Sequence, residues 1–347
     1  QPVTRPSPDR KKLPVGKIPL KFLSRLLKRY SAPTLTRSVV IGPSIGIDCA
    51  VLDCGGKKFL LAKTDPITFV VEDMGFYAIH INATDIAVMG GTPRWFLSTV
   101  LLPEGRAAQR DAERIFAGIS RACLQLGVSF CGGHTEVARG VERPVIVGQM
   151  LGTVPRKRLV SSAGGRRNDD IILTKGIALE AASIIAREKA GALKGVFSEG
   201  FMKKCRGFVR NPGISVVKDA RIALNKGRVH AMHDPTEGGL SAGLYELAIA
   251  SNVGMLIEGD NIPLVPESVE LLWYFGLDPM GAIASGALLL TVDPRDTGRI
   301  IAGLKESGIK SARIGSVTDK RKGVRIIEAG KEKRLKFYER DEITRLF

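Results

Sequence analysis

Four aspartates stand where apolar runs meet glycine, threonine or proline, and this pattern constrains the fold more than any bulk property of the chain. Gly42-Pro43-Ser44-Ile45-Gly46-Ile47-Asp48-Cys49-Ala50 is a glycine-rich turn that delivers Asp48 just before an expected strand. Lys63-Thr64-Asp65-Pro66 puts Asp65 at the end of another strand. Asn82-Ala83-Thr84-Asp85 falls in an expected helix, where i, i+3 spacing sets Asn82 and Asp85 on one face, able to reach the same ligand. His233-Asp234-Pro235-Thr236-Glu237-Gly238-Gly239 ends a strand and begins a helix. Singly, each has a structural account: Asp48 caps a turn, Asp65 terminates a strand, Asp234 is a helix N-cap. Gathered in one fold, four like charges repel and lose hydration unless a metal or a basic partner joins them. Magnesium suits such a set, because it is a hard ion usually shared between carboxylates and substrate phosphates.

The elements between these loops follow from apolar spacing. Leu20–Tyr30 reads as a short amphipathic helix with Phe22, Leu23, Leu26 and Leu27 on one face. Strands are expected at Ala50–Asp53 and Phe59–Lys63, then a helix from about Gly75 to Met89 and a strand near Trp95–Leu102. Asp111–Leu126 is helical by the spacing of Ile115, Ile119, Ala122 and Leu126, and a strand around Val145–Val154 closes the unit. Basic and glycine-rich Arg156–Arg167 is the expected linker. Beyond it come a strand at Asp170–Thr174, a helix at Glu237–Ser251, and strands at Ala287–Val292 and near Arg313–Val317. Leu271–Val292, the longest weakly charged stretch, is broken by Asp278, Pro279 and glycines and reads as helix, loop and strand, not a membrane span. A chain of 347 residues can build two cores, and the alternation of helices and strands makes it α/β (α+β). The expected division is a basic arm and short helix at 1–35, a first domain at 36–155 and a second at 156–347.

The formal charge of +17 is concentrated between Arg5 and Arg29 and again between Lys320 and Lys336. Such ends attract phosphates, nucleic acid or anionic membranes without choosing among them, and serve equally as a solvated face. Two Trp, five Tyr and no run interleaving aromatic with basic residues give no RNA-reading signature. The five cysteines form no Cys-x-x-Cys pair, so reduced thiols in an intracellular, cytoplasmic protein are the simplest account. The start QPVTRPSPDRKK reads as a tail or as the remnant of an organelle-targeting segment.

Read in order, the loops resemble the superfamily of aminoimidazole ribonucleotide (AIR) synthase, which includes HypE, thiamine-monophosphate kinase and selenophosphate synthetase. The resemblance spans about residues 40 to 320. It is carried by Gly46-Ile47-Asp48-Cys49-Ala50, Thr64-Asp65, Asn82 through Pro93, Gly132-Gly133-His134-Thr135 read as a turn, and Asp234 through Leu240. The resemblance implies a two-domain AIR synthase-like fold. Its first domain would pair with its copy in a dimer, forming a shared β-barrel with ATP in clefts between domains, and its second would be an α/β domain. It further implies ATP and Mg²⁺ as cofactors, with Asp48, Asp85 and Asp234 on the metal and Asp65 beside them facing the phosphates. Asn82, Gly132, Gly133, His134, Thr135 and Lys63 would meet the nucleotide. Lys17 would be a mobile-arm lysine that closes on phosphate, with a solvated tail lysine as the alternative. The second domain would supply an acceptor pocket from Lys175, Gly176, Thr236, Ser285 and Gly286.

Departures from the members' patterns bear on the substrate. The given chain ends Ile343-Thr344-Arg345-Leu346-Phe347 with no cysteine after Cys205, so the nitrile chemistry of HypE on its own C-terminus is not expected. Leu13, Pro14, Val15 and Gly16 before Lys17 lack the reactive Cys of selenophosphate synthetase. The Asp-x-Ser-Asp-Gly-Leu of thiamine-monophosphate kinase and the Gly-Val-Gly-Thr-Lys of AIR synthase are also absent. The expected function is ATP- and Mg-dependent phosphorylation of an oxygen on a small-molecule or carboxamide acceptor, HypE-like, by positioning and charge neutralisation. A thiamine-monophosphate kinase-like enzyme is one alternative. Another is a silent nucleotide-binding subunit whose basic ends contact nucleic acid or an acidic protein.

Overall fold

The computed structural model describes residues 13, 16–31, 37–68 and 70–347. Arg5, Arg10, Lys11, Lys12, Pro14 and Val15 of the expected arm lie outside the described residues. Helix α1 (Leu20–Tyr30) forms where its spacing puts it, yet none of its residues is buried. No described helix is long and apolar enough to cross a membrane.

The first sheet holds β1 (Val39–Ile41), β2 (Ala50–Leu52), β3 (Lys58–Ile67), β4 (Thr92–Pro103), β5 (Ser129–Ala138) and β6 (Val145–Pro155), ordered β1-β2-β3-β6-β4-β5. Only β4 and β5 run parallel, because α3 (Gln109–Leu126) makes the crossover between them. Helix α2 (Met74–Val88) is buried at every position except Ile81. A helix that is apolar all round needs neighbours on all sides. On the side of the second domain, its Ala87 and Val88 join Ile172, Val216 and Met232 in one cluster.

The second sheet comprises β7 (Asp170–Thr174), β8 (Val229–His233), β9 (Gly254–Glu258), β10 (Leu289–Val292), β11 (Ser311–Thr318), β12 (Val324–Glu328) and β13 (Lys331–Arg334), ordered β13-β12-β9-β11-β7-β10-β8. Helices α7 (Val217–Lys226), α8 (Gly239–Ser251) and α10 (Pro294–Glu306) pack on it, while α4 (Leu179–Glu188), α5 (Ala190–Leu193), α6 (Glu199–Gly207) and α9 (Pro266–Tyr274) pack with one another and join the core cluster of the first domain. Strand alternation explains its two faces. Ile171 and Leu173 pack with Leu240, Leu244 and Leu247 of α8, while Ile172 packs with Ala220 and Ala223 of α7 and Ile300 of α10. Each such burial is worth roughly 1.5–3 kcal/mol over exposure.

Two loops differ from expectation. Strand β3 continues past Asp65 to Ile67, because β6 extends the ladder and pairs Asp65 with Gly148 and Pro66 with Val147. Gly132-Gly133-His134-Thr135 is the middle of β5 rather than a turn, paired along β4 from Leu97 to Val100.

Candidate functional site

The first half of the site forms where β3 crosses α2. Asn82 stitches the two together: its Oδ1 accepts from the Asp65 amide at 3.0 Å, and its Nδ2 donates to the carbonyls of Ala78 at 2.9 Å and Asp65 at 3.4 Å. Gly148 is required opposite, since a Cβ there would stand 2.4 Å from Asn82 Nδ2. One helical turn on from Asn82, Asp85 meets the ammonium of Lys63 at 3.1 Å, and the same ammonium lies 3.3 Å from Asp65. Burial works against a charge on Lys63, but Asp85 and then Asp65 hold its pKa well above the ordinary lysine value. Burial pushes the Asp85 carboxyl well up, against the pull of Lys63 and with Asp234, Asp65 and Asp48 adding to the rise. Its Oδ2 is buried and has no hydrogen-bond partner among the described residues.

The second half joins the domains. Asp48, buried on the first domain, accepts from Ser162 Oγ at 2.9 Å through Oδ2 and from His233 Nδ1 at 2.9 Å through Oδ1. His233, the last residue of β8, donates from Nε2 to Glu246 of α8 at 2.9 Å. Burial opposes a charged imidazole, yet Asp48 and Glu246 hold its pKa well above the ordinary histidine value. It is therefore an imidazolium bridging two carboxylates. Glu246 falls to about 2 despite burial, because Lys17 and His233 face it. Lys17 completes the chain: its amide donates to Glu237 at 2.8 Å, and its Nζ donates to Thr236 Oγ1 at 3.0 Å and lies 3.6 Å from Glu246. Asp234, next along from His233, is buried and has its pKa pushed up to about 7 by burial and by Asp48.

Asp48, His233 and Asp234 each bring a potential ligand atom within 4.8 Å of the others. Both ring nitrogens of His233 are already engaged by carboxylates at 2.9 Å, Nδ1 by Asp48 and Nε2 by Glu246. The oxygen donors on hand are therefore Asp48 and Asp234, with the unpartnered Oδ2 of Asp85 in the same electrostatic neighbourhood. This all-oxygen set, with one buried oxygen lacking a donor, fits a hard divalent cation.

All four motif aspartates thus share one field with Lys63, and Lys17 reaches the far side of it. Other expected residues lie elsewhere. In the row Asp65, Gly148, Ser98, Gly133, the last is three strands from the first, roughly 14 Å at ordinary strand spacing. Gly133 has a packing reason of its own, because a Cβ would stand 1.9 Å from the Ser98 carbonyl oxygen. His134 is exposed and pairs with Glu136 at 3.3 Å. Lys175 turns into the second domain, donating to the Ser215 carbonyl at 2.6 Å and meeting Asp219 at 3.1 Å. Gly176 backs onto the Pro263 carbonyl and Gly286 onto that of Gly213. Of the expected acceptor residues, Thr236 and Ser285 line the cavity between the domains, a space of 590 Å³ that Asp65, Lys17, Glu180 and Arg143 also line. Ser162, Glu246, Glu180 and Arg143 carry no local motif. The one signal for Glu246 is its place on the helix that the Asp234 loop starts.

This architecture of two domains, each built on a mixed sheet, is that of a known family. The N-terminal domain of the AIR synthase related proteins matches residues 46–154 and their C-terminal domain matches 166–328, and the chain belongs to this family. It is 28% identical over 319 residues to a protein of Methanocaldococcus jannaschii assigned to hydrogenase expression/formation, covering 89% of this chain and 91% of that protein. It is 27% identical over 271 residues to the carbamoyl dehydratase HypE of Rhizobium leguminosarum bv. viciae, covering 76% and 74%. Among solved structures, the hydrogenase maturation protein HypE in complex with ATP superposes with a TM-score of 0.70 at 22% identity, covering 91% of this chain and 95% of that one. At that identity the likeness establishes the two-domain fold.

Proposed function

We propose that the chain binds ATP with Mg²⁺ at the junction of its domains and transfers the γ-phosphoryl group to an oxygen of a small acceptor. The observation that carries this reading is the unbalanced set of buried carboxylates, above all the Asp85 oxygen with no donor. The HypE relative solved with ATP supports the nucleotide. Asp48, Asp85 and Asp234 would hold Mg²⁺, which when bound neutralises phosphate charge. Asp65 is positioned by Asn82 and held by Lys63, so its carboxylate has a fixed direction before any ligand arrives. Lys63 keeps Asp65 and Asp85 together without a metal, and is a ready cation for a phosphate. Lys17, nearly half of whose side chain remains open to solvent, closes the cavity from the arm and is placed to meet phosphate oxygens.

The strand carrying Gly132, Gly133, His134 and Thr135 is an exposed sheet edge. An open ten-residue edge is a template for a second chain. We read it as the dimer contact, with a copy of this row completing the nucleotide site of its neighbour. Light scattering on the purified chain tests this: a monomer with full nucleotide affinity overturns it.

Calorimetric titration with a non-hydrolysable ATP analogue, with and without Mg²⁺, tests the main reading. Magnesium-dependent binding of one nucleotide per chain is expected, and no binding at millimolar nucleotide overturns it. A second reading, a subunit that contacts RNA, has one observation in its favour: a 470 Å³ groove lined by Lys320, Arg321, Lys322, Arg325 and Arg334. Salt-insensitive or absent RNA binding removes it.

A further inference from the structure

Among the described residues, the carboxylates on the interdomain cavity other than Glu180 have a positive or N–H partner. Asp65 has Lys63, and Glu237 receives the Lys17 amide. Glu180, in the first turn of α4, is 4% exposed; beyond their contact with each other, its Oε2 and Ser285 Oγ have no hydrogen-bond partner among the described residues. The groups that face Glu180 across the packed elements are Ser285, which favours its charged form, the carboxylates Asp341, Glu237 and Asp234, which oppose it, and the Tyr77 hydroxyl of α2, whose own pKa Glu180 helps to raise; Arg143 and Lys17 line the same cavity. Burial, with those carboxylates, lifts the Glu180 pKa to about 7, even though a helix N-terminus favours an anion. A buried acid with an unused oxygen, aimed into a cavity and faced by three other carboxylates, is costly to the fold unless something that enters the cavity relieves it.

We infer that Glu180 and Ser285 form the recognition end of the acceptor pocket and select an acceptor bearing a protonated amine. This rests on the phosphoryl-transfer reading above and names its substrate class. An ammonium group provides both N–H donors and positive charge: Glu180 takes one donor, Ser285 Oγ accepts another, and the charge offsets the neighbouring carboxylates. A neutral amide supplies the hydrogen bond but leaves the charge uncompensated. A divalent metal ion is the poorer fit, since Glu180 brings one carboxylate and Ser285 a neutral hydroxyl, against the three carboxylates gathered at Asp48, Asp85 and Asp234. With its amine at Glu180 and its phosphorylatable oxygen toward Asp65, which lines the same cavity, the acceptor belongs to the amino alcohols or amino acids.

The test uses simple probes on the full chain without nucleotide, so that it reads the pocket whether or not ATP binds. n-Butylamine and n-butanol, matched in size, are titrated at equal ionic strength by calorimetry and thermal shift. The amine is expected to bind at least about tenfold more tightly than the alcohol. At pH 7 it should also release roughly half a proton, as Glu180 gives up its hydrogen on pairing, read from two buffers of different ionisation enthalpy. Glu180→Gln abolishes both the preference and the proton release, and Ser285→Ala weakens amine binding several-fold. Equal binding of amine and alcohol, or a preference that survives in Glu180→Gln, overturns the inference. A separate Mg·nucleotide titration of the wild type reports on the underlying function, and the cooperative melt of each variant reports on its fold.

Discussion

Asp48, Glu246, Asp85 and Glu180 are all buried, but the first two and the last two answer burial in opposite ways. The first pair is joined through one imidazolium, with Ser162 and Lys17 closing the remaining valences. The second pair keeps an oxygen each without a full partner among the described residues, and both acids have raised pKa values. A satisfied network fixes geometry and leaves little for a ligand to gain. An unsatisfied one stores an electrostatic cost that a ligand of the right charge relieves. The His233 network therefore ties the domains together, and the Asp85 and Glu180 ends are where ligands are expected.

The largest effect that would break this contrast is His233→Ala. It strands two buried carboxylates, and a loss of about 3–5 kcal/mol in urea unfolding is expected; a loss under about 1 kcal/mol means the network is not structural. The pH dependence of the two acids should have opposite sign. Glu246, held down at about 2, contributes stability present above its ordinary 4.5 and lost as pH falls through 2. Glu180 binds more protons folded than unfolded, so its contribution is most favourable below 4.5 and declines as pH rises through about 7. Glu180→Gln is thus expected to exceed the wild type in stability at pH 8, by up to about 3 kcal/mol, with the gap closing toward pH 5. A gap that does not change with pH removes the assignment. Asp85→Asn should melt at or above the wild-type temperature while losing at least about a hundredfold in Mg·nucleotide affinity, about 2.7 kcal/mol. Unchanged affinity would take Asp85 out of the site. Lys17→Met, a half-exposed pair, should cost under about 1 kcal/mol of stability, and a larger loss would make the arm part of the folded core.

Much of the layout was legible beforehand. Helix α1 and strand β7 fall on the residues their apolar spacing marks, and Asn82 and Asp85 share a helix face as i, i+3 spacing requires. Asp65 and the Gly132–Thr135 row were misjudged locally for one reason: proline and glycine signal turns, and a strong neighbouring strand overrode both. The hidden partners, Ser162 for Asp48 and Glu246 for His233, are 114 and 13 residues away, and nothing in their local sequence differs from an ordinary linker serine or helix glutamate.

The sequence alone determined which carboxylates sit at element ends and that they belong to two α/β units of one family, because periodicity and loop chemistry are local properties. Only the tertiary structure decided which of them are neutralised. That depends on which cation or hydroxyl the packing brings within about 3 Å in a medium where unpaired charge is costly. Lys63 and His233 meet that condition for Oδ1 of Asp85 and for Asp65, Asp48 and Glu246; for Oδ2 of Asp85 and Oε2 of Glu180, packing brings no full partner among the described residues.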